Sequence, residues 1–154
     1  MSWALSLWAG MAVFGFALVF SVPRRTLPGI ALLAIGAHLL RSLLMSASAG
    51  LPLASFGAAA AVGLSAAMLS PRMRQATPIY AFAPVIPLIP GTYMFDALTG
   101  VLALTSNPAP PDPGQIVVDA AVNTVTATLT IIALAVGAIG PSIMISQQHS
   151  RHHE

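Results

Sequence analysis

Residues 3–22 form an apolar run interrupted only by Ser and Gly, and four more long apolar stretches follow it. A bilayer core about 30 Å thick takes roughly 20 such residues as one helix. The stretches at residues 27–45, 51–69, 79–104 and 116–145 meet that requirement in turn. A chain crossing lipid must satisfy its backbone hydrogen bonds internally. The expected fold is therefore an all-α membrane protein, a bundle of about five transmembrane helices. Its single transmembrane domain covers residues 1–146, and residues 147–154 form a polar tail. The composition excludes a soluble alternative. Only 6% of residues are charged and 56% are hydrophobic, whereas a soluble domain carries roughly 25% charged residues.

The same scarcity removes several function classes. With no cysteine, the chain has neither disulfides nor thiolate metal sites. The pI near 10.0 rests on a net charge of only +2, and no basic face interleaved with aromatics suggests nucleic acid. No metal site or cofactor is expected. No phosphate-cradling glycine loop or HExxH motif is present either. Gly63-Leu64-Ser65-Ala66 together with His38 faintly resembles an intramembrane Ser/His protease. Counting along the spans puts Ser65 near the cytoplasmic end and His38 in the outer half, so no dyad and no enzyme is expected.

All six cations are Arg, and their placement sets a topology. Arg24 and Arg25 follow the first span, Arg72 and Arg74 the third, and Arg151 the fifth. With alternating helices these five lie on one side, which the positive-inside rule makes cytoplasmic. The N-terminus is then outside the plasma (inner) membrane and the C-terminal tail cytoplasmic. Trp3 and Trp8 fall at or near the outer interface, where indoles are favoured. The first span lacks the basic start of a signal peptide and is read as a retained helix. Residues 105–115 hold Asn, Asp, Gly and four Pro, the composition of a rigid outer loop.

Ionisable groups within a bilayer cost about 2.5–3.5 kcal/mol each near its centre. His38, Arg41, Asp96 and Asp119 need a reason for being there. At 1.5 Å per residue, Arg41 comes out about 6 Å deep and Asp119 about 5 Å, with His38 and Asn123 near 10 Å and Asp96 near 12 Å. The count brings polar groups of three helices to one level and predicts that Arg41 neighbours Asp119. Arg41 either binds an anionic substrate group or has a structural role, snorkelling or pairing with Asp119. His38 either makes a structural hydrogen bond or carries protons. Asp119, Asn123, Thr126 and Thr130 lie on one helical stripe. That stripe is either the wall of a polar path, or an interfacial Asp with Thr hydroxyls bonded to their own helix.

Span three carries Ser55, Ala59, Gly63 and Ala67 at four-residue spacing. This small-residue stripe admits close packing, either within the chain or between subunits. The fourth span contains Pro84, Pro87, Pro90 and Gly91. Each Pro lacks a backbone donor and clashes with the preceding turn, so this span must break. Broken backbone at mid-membrane survives only against protein or a cavity. A half-helix restarting after Gly91 would aim its N-terminus at a carboxylate. Broken helices of this kind form midplane sites in transporters. A kinked structural helix is the plainer alternative.

Three stretches carry a resemblance: Phe16-Ala17-Leu18-Val19-Phe20-Ser21-Val22-Pro23-Arg24-Arg25, Ile35-Gly36-Ala37-His38-Leu39-Leu40-Arg41, and the Pro84–Gly91 run. They resemble the threonine/serine exporter family, in its small-subunit type. The resemblance implies proton-driven export of small amino acids by a half-transporter. Its partner would be a larger exporter subunit in a hetero-oligomer; a homo-oligomer is the alternative. Split members are also linked to dicarboxylate (succinate) export. On this reading Arg41, Pro90, Gly91, Thr92 and Asn123 bind the carboxylate-bearing metabolite, and His38, Asp96 and Asp119 are proton-coupling candidates. A non-transporting scaffold or accessory subunit is the reading from another class.

Overall fold

The computed structural model describes residues 15, 27–73, 81–106 and 111–151, the side chains of 70–73 and 142–151 excepted. Among the described residues, four α-helices and one 3-10 helix make up the regular structure: α1 (Leu27–Ser46), α2 (Leu51–Met73), the 3-10 helix Ala83–Leu88, α3 (Gly91–Ala103) and α4 (Pro113–Arg151). No strand occurs among these residues. The expected span at residues 3–22 lies outside the described residues, Gly15 apart. So do Arg24, Arg25 and Arg74 and the side chains of Arg72 and Arg151, on which the expected topology rests.

Among the described residues, three helices are long and apolar enough to cross a membrane, at Leu27–Ser46, Leu51–Leu69 and Pro113–Pro141. Their ends follow local chemistry. Pro28 and Pro52 sit in first turns, where a missing N–H costs nothing. α1 stops in a Schellman turn. The Ala49 N–H bonds the Leu44 carbonyl and the Ser48 N–H bonds that of Met45, both at 3.1 Å. Ser48 takes the left-handed conformation this closure requires, at φ 68°. α4 starts at Pro113, earlier than the expected 116, because Asp112 caps it. The Asp112 carboxylate accepts the Gln115 N–H at 3.1 Å. At the other end α4 continues helical through Arg151, so the polar tail does not begin as irregular chain.

The fourth expected span is not one helix. The chain runs as a 3-10 helix through Ala83–Leu88, extends at Ile89 (φ −58°, ψ 130°), and restarts as α3 at Gly91. Ile89 precedes Pro90, and a residue before proline is pushed out of the helical region. The break expected from the prolines is therefore present.

Packing is closest between α2 and α4. A Cβ on Gly63 would stand 2.5 Å from the Ala138 carbonyl oxygen, and one on Gly137 would stand 2.8 Å from that of Phe56. Only glycine allows these backbones so near each other. The small-residue stripe thus packs within the chain: Ser55 and Ala59 are fully buried, and Gly63 meets α4. α1 lies along α2 and the 3-10 helix, and α3 folds back on the first half of α4. Ala37, Ala59, Val62, Leu88, Leu134 and Ala138 belong to one buried cluster that joins α1, α2, the 3-10 helix and α4.

Candidate functional site

The break leaves a carbonyl without a helical partner. In an unbroken α-helix the Leu88 oxygen would accept the N–H of Thr92. Here the Gly91 N–H turns to the Ile89 oxygen at 2.8 Å, and the first helical acceptor of α3 is Pro90, which takes the Met94 N–H at 3.2 Å. Arg41 fills the gap. Its Nη1 donates to the Leu88 oxygen at 2.8 Å, across 47 residues of sequence. A charged donor on such a carbonyl contributes about 1.5–3 kcal/mol, and leaving the group unpaired costs a comparable amount.

The expected pairing of Arg41 with Asp119 is absent: no ion pair joins them, and the Asp119 carboxylate accepts the Gln115 Nε2–H at 2.9 Å. The count along the sequence failed because it placed the start of span five at the same membrane plane as the end of span two. α4 is 39 residues long, about 58 Å at helical rise, so it exceeds a membrane core. Arg41 reaches Leu88, which is buried in the same cluster as Leu134. Asp119 precedes Leu134 by fifteen residues along a continuous helix, a separation of about 22 Å.

The rest of the expected constellation divides in two. Asp96, Thr99, Asp119 and Asn123 line one open groove of about 500 Å³ between α3 and the first half of α4. Its floor is made by Gly100 against Ala120, where an added Cβ would come within 3.2 Å of the Ala120 Cβ. Thr99 enters as a groove residue that sequence reasoning missed; its position three residues after Asp96 on one helix was the available signal. The lower part of the expected α4 stripe does not continue the groove. Thr130 is fully buried and its hydroxyl donates to the Thr126 oxygen at 2.7 Å, the back-bonded arrangement. Thr124 and Thr128 bond their own helix in the same way.

His38 sits one turn before Arg41 on α1, and its Nδ1 is buried without a hydrogen-bond partner. The structural hydrogen bond expected for it is not made by that nitrogen. Ser65 lines a groove between α1 and α2 with Leu33, Gly36 and Ala37, and its neighbour Ala66 is buried with Ile30 and Ala34. The Ser65 hydroxyl, however, donates to the Ala61 oxygen at 2.8 Å, and no bond links it to His38. Among the described residues no group of His, Asp or Glu is arranged to hold a metal ion.

A bundle of apolar helices with a broken span, an arginine at the break and carboxylates in a neighbouring groove has the build of a membrane transport protein. The sequence model of the family described as Threonine/Serine exporter, ThrE, matches residues 5–144, and the chain belongs to this family. The family and the apolar helices make it a membrane-embedded protein. An uncharacterized protein of Haemophilus influenzae is 33% identical over 98 residues, which are 64% of this chain and 33% of that protein. The match thus spans about a third of that relative's length. No solved structure matches the chain.

Proposed function

We propose that this chain is one half of a proton-coupled secondary exporter of small amino acids of the threonine/serine type. The observation that carries the reading is the restart of the fourth span at Gly91. With the Gly91 N–H turned to the Ile89 oxygen, the first-turn N–H groups of Thr92 and Tyr93 precede any helical acceptor, and such a terminus favours a carboxylate. The substrate carboxylate is placed at Pro90, Gly91 and Thr92, beside Arg41. Asn123 contributes from the groove, where Asp96 and Asp119 are the proton-carrying candidates, with His38 behind the break. Asp96 follows Gly91 by five residues of α3, about 7.5 Å, so carboxylate site and groove adjoin.

The groove is open on one side, and apolar side chains around it are exposed, among them Phe95, Leu98 and Val122. A larger subunit completing that wall fits the relative in which the matched part is a third of the chain. The test is efflux of threonine, serine and succinate from cells lacking or overproducing this chain, with and without the larger subunit. Threonine and serine efflux should rise only when both are present. Succinate efflux alone would move the substrate to the dicarboxylates, and no change in any of the three would leave an accessory subunit as the better reading.

A further inference from the structure

In a carboxylate exporter Arg41 could grip the substrate through two N–H groups of its planar fork, or hold the protein's own backbone. The structure shows the second: Nη1 donates to the Leu88 carbonyl at 2.8 Å, a bond within the chain itself. Leu88 is fully buried and is the last residue of the 3-10 helix. Only Ile89 and Pro90 lie between it and the start of α3. Holding that carbonyl fixes where, and in which direction, α3 begins. Backbone donors are scarce in the broken segment, since Pro84, Pro87 and Pro90 bring no N–H groups. α1 thereby sets the position of a helix terminus to which its own backbone is not joined.

We infer that Arg41 is a positioning residue, acting through the Leu88 carbonyl to hold the Gly91 end of α3 in place, and that it does not grip the substrate itself. This rests on the exporter reading for its meaning in transport, but the latch can be tested without transport. The chain has no native cysteine, and Ile89 is 47% exposed. A single cysteine there, Ile89→Cys, reports the break by its rate of labelling with a water-soluble maleimide in native membranes. Arg41→Met keeps an unbranched side chain and removes the donor. It should raise the labelling rate about tenfold or more, the factor expected for loss of one charged hydrogen bond to a carbonyl. Arg41→Lys supplies one donor and should keep the parental labelling rate.

Export from inside-out vesicles then separates the two tasks. With Arg41→Lys the KM for threonine should stay within about twofold of the parent, because a lone carbonyl needs only one donor. A KM raised about tenfold or more, with parental labelling, would mean that the fork grips the carboxylate, and would overturn the proposal. Parental labelling in Arg41→Met would overturn it as well. If Arg41→Met does not accumulate, the Lys variant decides by the same two readouts. If the parent exports none of the tested metabolites, the exporter reading fails, while the labelling arm still decides whether Arg41 holds the break.

Discussion

At the scale of the residue, the charged groups of this chain divide by what surrounds them. Arg41 is half-buried and meets a backbone carbonyl; Asp96 and Asp119 are exposed and share a groove. The proposed proton coupling gives the two carboxylates of this groove a testable consequence. Asp119→Asn and Asp96→Asn keep the shape of the side chain and remove its titration. If either carries the coupling proton, its Asn variant should lose export driven by an imposed pH gradient. Threonine exchange between the two sides should survive, because exchange needs no net proton movement. Measuring both fluxes in one vesicle preparation checks this, and gradient-driven export at the parental rate in both variants would remove the pair from coupling. That these residues matter was legible from the cost of putting charge in an apolar span. Which of them meet was not, because depth counted along a sequence contains no information on where helices cross.

At the scale of the element, glycine and proline do most of the shaping. α2 and α4 approach so closely at Gly63 and Gly137 that a Cβ would meet backbone oxygen. Backbone cannot move aside as a side-chain tip can. Gly137→Val should therefore destabilise the bundle by about 1–3 kcal/mol or more, as overpacking does. A lowered melting temperature in detergent, or reduced accumulation, would show it; unchanged melting would mean that the crossing relaxes. In the broken span, replacing Pro87 and Pro90 together with Ala restores two donors and removes two clashes. The pair should lengthen α3 toward the 3-10 helix, raise thermal stability and lower export. Export at the parental rate with a raised melting temperature would show that the break is only a kink. Both features were readable beforehand, the prolines from their chemistry and the small residues from their spacing. The partner of the small-residue stripe was not, since spacing of four on one helix fits any neighbour.

At the scale of the whole molecule, α3 and the first half of α4 stand apart from the α1–α2 pair and display apolar side chains outward, with Phe95 at 65% and Leu98 at 66% exposure. Lipid satisfies such a surface, and so does another subunit. Orientation is open to direct test in this cysteine-free chain. Cysteines placed singly at Ser48 and Ser106 should be labelled from outside the cell, and one at Arg74 only after permeabilisation. The reverse pattern would invert the expected topology and put the groove on the cytoplasmic side.

Local features of the chain were enough to show that it lies in a membrane as helices, that the segment around Pro90 breaks, and that it belongs to the threonine/serine exporter family. Each of these follows from local quantities: the apolar length of a segment, the missing N–H of proline, a short run of residues. The packed bundle was needed to show that Arg41 holds Leu88 and that Asp119 looks to Gln115 and a shared groove with Asp96. The packing also brings Gly63 of α2 against Gly137 of α4. These pairings depend on how far each helix extends past its neighbours. α4 runs for 39 residues, longer than any membrane core, so its start carries no common level with the other spans. Register between helices is set by which backbones come close enough to touch, and that is a property of the packed bundle alone.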